Sequence, residues 1–68
     1  MTFVIKQETT ATNCVVMEQY GNLINVVACP KLKDNTYGYP TDTATYHYTD
    51  IKNAKRTFRR YVNKYKGV

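Results

Sequence analysis

The residues from Ile51 onward constrain this chain more than any others. Ile51, Ala54, Phe58, Tyr61, Val62 and Tyr65 recur at helical spacing. At a helix's turn per residue they fall within about 100° of arc, the apolar stripe of a helix that lies on another layer. Thr49 and Asp50 stand just before them, and each side chain can accept the free amides of a first turn. The helix is therefore expected to start within two residues of Asp50 and to end at Gly67. A chain with one such helix must supply something flat and apolar for it to cover.

The preceding residues supply it. Phe3–Glu8 is a short apolar and β-branched run and reads as a first strand. Residues 9–13, Thr-Thr-Ala-Thr-Asn, read as a loop. A second strand is predicted over Asn13–Gln19 and a third over Leu23–Cys29, ending at Pro30, which cannot donate to a ladder. Gly21-Asn22 between them suits a two-residue type II′ turn. That turn would set Val16 opposite Val27, Val15 opposite Ala28 and Met17 opposite Val26. One face then holds Val15, Met17, Ile24, Val26 and Ala28, all apolar and ready for the helix. The opposite face is mixed. Residues 30–42 form a long irregular segment, and Thr43–Tyr48 a fourth strand. The fold class expected is α+β: a small antiparallel sheet of three or four strands followed by one C-terminal helix packed on it, in the order β-β-β-β-α.

With 68 residues the chain is read as one domain, 1–68. A unit this small buries only about 60% of the surface its unfolded chain exposes. That leaves little material for a deep catalytic cleft. Hydrophobic content of 43% is too high for a disordered chain.

Charge is distributed unevenly. Residues 51–68 carry seven cations and no acidic residue, whereas residues 1–50 carry three cations against five acids. A patch this dense attracts phosphates, an acidic protein surface or an anionic membrane, the last disfavoured because the apolar stripe is needed for the core. The alternative is a solvated helix face, placed late in the helix where cations favour the dipole. If the patch is functional, its candidate residues are Lys52, Arg56, Arg59, Arg60 and Lys64. On a helical wheel Lys55 and Lys66 fall beside the apolar stripe, where their stems would cover the core edge.

Other features carry less. Tyr37 and Tyr39 flank Gly38 in the irregular segment and could stack on bases or fill protein pockets. The reading favoured is that both fold back over the small core. Cys14 and Cys29 would face each other across the predicted hairpin, at a separation compatible with a bridge. Two reduced cysteines acting as small apolar side chains are favoured. His47 is the lone histidine and stands between tyrosines on a strand, as a surface or edge residue does. There is no serine, no glycine-rich phosphate loop and no CxxC or HExxH pattern, so neither an enzyme, nor a metal site, nor a cofactor is expected.

The strand-then-capped-helix junction Thr45-Tyr46-His47-Tyr48-Thr49-Asp50-Ile51-Lys52-Asn53-Ala54-Lys55 resembles two kinds of module. One is the small sheet-plus-helix DNA-binding domain at the start of tyrosine recombinases of mobile elements. The other is the last two-thirds of a double-stranded-RNA-binding domain, whose first helix this sequence lacks. The recombinase resemblance implies that the sheet, rather than the helix, reads DNA. Size and Tyr/Thr/Asn-rich composition are similar to those of small phage accessory proteins, including inhibitors of host nucleases and of CRISPR complexes.

Three function classes follow. The first is a binding protein whose basic helix docks on an acidic protein surface or a nucleic-acid-handling complex, in the manner of a phage accessory or anti-CRISPR-like inhibitor. The second is a module that binds the phosphate backbone of DNA or RNA directly. The third is a structural or oligomer-forming protein. Val16, Leu23 and Val27 on the second sheet face predict a homodimer, because a two-layer monomer leaves them wet. The first residues lack the pattern of a signal peptide and no apolar run reaches membrane-spanning length. A cytoplasmic location with no membrane contact is the expectation.

Overall fold

The computed structural model describes residues 2–67. Four strands, β1 (Thr2–Thr9), β2 (Asn13–Tyr20), β3 (Leu23–Pro30) and β4 (Asp42–His47), form one sheet in the order β1-β2-β3-β4, each antiparallel to the next. A single 3-10 turn, Tyr48–Asp50, leads into the helix α1 (Ile51–Lys66). This is the expected β-β-β-β-α domain.

The β2–β3 hairpin has the predicted register, with Val15 opposite Ala28, Val16 opposite Val27 and Met17 opposite Val26. Gly21 takes a left-handed φ of 59° and Asn22 does not, the pattern of a type II′ turn. Strand alternation then sorts the side chains. Val15, Met17, Ile24, Val26 and Ala28 have no exposed surface, and Ala54, Phe58, Tyr61 and Val62 of α1 close over them. Each large side chain buried in this way stabilises the fold by about 1.5–3 kcal/mol.

Two polar links fasten α1 to β4. The Tyr46 hydroxyl bonds to Oγ1 of Thr57 inside the interface, and Thr57 is itself buried. Near the far end of the helix the Tyr65 hydroxyl donates to Asp42, and Lys64 forms an ion pair with Asp42 at 3.1 Å. Thr57 lies outside the apolar stripe on the helical wheel, so its burial is a finding of the fold.

The helix starts next to Asp50 and is followed by Gly67, as expected, but its capping differs in detail. The fourth strand stops at His47 rather than Tyr48, because Tyr48 enters the 3-10 turn and its amide bonds to the carbonyl of Asn22 at 2.8 Å. Asp50 does occupy the position before the helix, but its side chain caps no amide; it accepts from Asn53 at 2.9 Å. The cap falls one element earlier, where Nδ1 of His47 accepts from the amide of Thr49. Gly67 follows the helix with φ −91°, so its left-handed freedom is not used.

Residues 31–41 are more ordered than an irregular loop. Lys31 and Tyr37 form an isolated bridge, and the amide of Gly38 bonds to the carbonyl of Pro30 at 2.9 Å. Asp34 accepts from both the amide and the hydroxyl of Thr36, which holds its carboxyl below the usual range, and Asn35 turns the chain with φ 67°. Gly38 packs closely here, since a Cβ would meet Cγ of Pro30 at 3.3 Å and push that ring by a few tenths of an ångström.

Candidate binding site: a cationic groove beside a basic helix face

α1 lies over β2, β3 and β4 and leaves β1 overhanging. The cause is sequence arithmetic: a 16-residue helix has one apolar stripe, and the fully buried strand residues are all on β2 and β3. Every residue of β1 is exposed except half-buried Ile5, which packs against the core's margin. The register of β1 shifts between Val4 and Lys6. That bulge puts Ile5 in the strand as an extra residue, and after it Lys6 stands opposite Met17 and Glu8 opposite Val15, both on the helix side.

Overhang and helix together enclose a groove of about 630 Å³. Its apolar floor is half-buried Ile5, with Met17, Phe58 and Val62 nearly closed off beneath it. Lys6, Lys55, Arg59 and Lys66 stand around it, and Glu8 is its only acidic side chain. The Lys6 ammonium sits 5.3 Å from the centre of the Phe58 ring, a cation–π distance that turns its charge toward the groove. This site joins two parts of the chain that are some fifty positions apart, so neither run shows it alone.

The cations expected from the sequence divide into three groups. Lys52, Arg56 and Arg60 are exposed on the outward side of α1. Arg59, which the helical wheel turns outward with those three, lines the groove instead, beside Lys55 and Lys66. Lys64 stands apart: it points toward β4 and is held by Asp42, which keeps its ammonium protonated above its ordinary range. Asp42 in turn is held below the usual carboxylate range by the Tyr65 hydroxyl first and by Lys64 second. Lys64–Asp42 is the one ion pair among the described residues, so the other six helix cations have no acidic partner there.

The aromatic candidates do not fold back over the core. Tyr39 is 93% exposed and Tyr37 is 44% exposed, at a shallow surface made by Pro30, Leu32, Gly38 and Pro40. The Lys31–Tyr37 bridge and the Gly38–Pro30 hydrogen bond tie this segment back on itself. The expectation that both rings cover the core is corrected accordingly.

Cys14 and Cys29 do stand opposite each other, as free thiols. Burial first, and then the neighbouring Cys14 and Glu18, push the Cys29 thiol up, away from the thiolate form that redox chemistry uses. His47 is exposed and serves the 3-10 turn. The described residues hold no group of three or more metal-ligating side chains, and no helix among them is long and apolar enough to cross a membrane.

Sheet-borne DNA reading, which the recombinase resemblance implies, meets an obstacle. On the sheet face away from α1 the register places no Lys or Arg, and Glu18 is its one carboxylate. Phosphate contacts from that face would lack the cations they depend on. Comparison with family models, curated proteins and solved structures returned no match.

Proposed function

We propose that this chain is a small non-catalytic binding protein that docks through the basic side of α1 on an acidic protein surface. The observation that carries the reading is the pairing of unlike surfaces. Three helix cations without an acidic partner, Lys55, Arg59 and Lys66, line a groove with an apolar floor, and three more, Lys52, Arg56 and Arg60, lie exposed on the outward side of the same helix. Phosphate backbones use cations but have no use for such a floor, whereas protein interfaces combine a desolvated apolar centre with a charged rim. Arg56, Arg59 and Arg60 add planar forks suited to carboxylates. An accessory or inhibitor protein seated on a nucleic-acid-handling complex is the form of this reading that the phage resemblance implies.

The test is capture from nuclease-treated lysate, followed by titration of the purified partner against wild type and the double variant Arg56→Glu/Arg60→Glu. Affinity should fall at least about tenfold, or ~1.4 kcal/mol, with the melting temperature nearly unchanged. Unchanged affinity would reduce the cations to a solvated face. A capture abolished by nuclease would instead support direct nucleic-acid binding.

A second reading concerns assembly, and the uncovered sheet face favours it. Tyr20 and Leu23 there are 60% and 46% exposed. At about 4.8 Å between strands and about 3.3 Å per residue, four strands present on the order of 500 Å². Two copies meeting face to face would bury about 1,000 Å², the lower limit for a specific interface. Light scattering at high micromolar concentration should report twice 7.9 kDa; the monomer mass at that concentration excludes the dimer.

A further inference from the structure

We propose that the groove between β1 and α1 receives an extended acidic segment of the partner, laid along the open edge of β1 with its apolar side chains on the groove floor. The inference rests on the docking reading above and names what that surface takes.

β1 pairs with β2 on one side and, among the described residues, with no strand on the other. Its free edge offers unpaired N–H and C=O groups, the template on which an added strand forms. The groove lies directly beside that edge. In an added strand alternate side chains point to one sheet face, so every second residue would enter the groove. The floor asks those residues to be apolar. The four cations around it, against Glu8 alone, ask the segment to be acidic. The volume of about 630 Å³ is that of a site taking a few side chains. The bulge between Val4 and Lys6 breaks the regular run of β1, and Lys6–Thr9 is the uninterrupted stretch beyond it that carries the groove residues Lys6 and Glu8. A duplex nucleic acid would engage the cations and leave both the backbone edge and the floor unused.

The probe is a fluorescent, end-blocked peptide with the eight-residue length of β1, alternating Leu and Glu. Anisotropy gives its affinity and amide chemical shifts give its location. Peptides of Glu alone and of alternating Leu and Lys, and a short duplex DNA, are compared. The Leu/Glu peptide should bind best and should shift the amides of Lys6–Thr9 together with Phe58 and Val62. Lys6→Glu/Lys66→Glu should weaken it at least about tenfold, and Lys66→Glu alone, at an exposed helix end, should weaken it with the melting temperature unchanged. Arg56→Glu/Arg60→Glu should weaken it far less. No binding by the Leu/Glu peptide overturns the inference. So does equal binding by the all-Glu peptide, equal binding by the DNA, or a shift pattern confined to Lys52, Arg56 and Arg60. The last pattern would leave the docking reading standing, since the outward cations alone would then carry it; loss of partner affinity in Arg56→Glu/Arg60→Glu tests that reading separately.

Discussion

The two faces of the sheet are built from the same strands and meet opposite fates. On the inner face Met17, Ile24 and Val26 have no exposed surface. On the outer face Val4, Tyr20 and Leu23 are about half exposed. Both faces carry apolar residues, but the described residues form one α-helix, and a helix covers one side. The contrast teaches that hydrophobic residues on a short sheet predict the core only where a second layer exists to meet them. It also separates the roles of the molecule: the covered face holds the fold together, and the surfaces left open are available to partners.

The largest expected effect breaks the covered face. Phe58→Ala should cost about 3–5 kcal/mol, enough to unfold many domains of this size. Leu23→Thr on the outer face should cost under about 0.5 kcal/mol. Thermal melts of the two, side by side, measure the contrast directly. A Leu23→Thr loss comparable to that of Phe58→Ala would show that the outer face is covered in solution.

A smaller effect sharpens the link between layers. Tyr46→Phe removes the partner of a buried Thr57 hydroxyl and should cost about 1–3 kcal/mol. Adding Thr57→Val should recover part of that loss, because both polar groups are then gone. Denaturant titrations of the single and double variants test it; purely additive losses would mean that the two hydroxyls act independently.

The smallest effect depends on pH. The carboxyl of Asp42 is held below its ordinary value of 3.8 by Tyr65 and Lys64. A group whose folded value is depressed contributes stability above its unfolded value and loses it as pH falls through the folded one. Asp42→Asn should therefore be less stable than wild type near neutrality, and the gap should close as pH falls below the ordinary carboxylate range. Urea titrations at about pH 7 and about pH 3 follow the gap. A gap that does not change with pH would assign the loss to geometry rather than to charge.

The central part of this architecture was legible in the residues. The Gly21-Asn22 turn fixed the hairpin register, and the register fixed which of its residues face α1, because strand alternation has a period of two. The stripe from Ile51 to Tyr65 fixed the helix. These are local patterns, set by neighbours a few positions away. The candidate site was only half legible. The wheel alone turns Lys52, Arg56, Arg59 and Arg60 outward, which holds for three of them, while Arg59 lines the groove. The groove could not be foreseen, because it needs Lys6 and Ile5 beside Lys55, Arg59 and Lys66, and that depends on where α1 settles across the strands.

Sequence by itself determined the order of elements, the hairpin register, the buried stripe and the concentration of cations after Asp50. Each follows from backbone periodicity and side-chain chemistry. Tertiary structure alone decided that β1 overhangs, that its bulge turns Lys6 toward Phe58, that Thr57 is buried against Tyr46, and that Asp42 withdraws Lys64 from the cationic surface. Those outcomes depend on lateral placement of the helix over the sheet. Placement is set by how volumes and polar partners fit across layers, and no residue encodes that fit without the residues it meets.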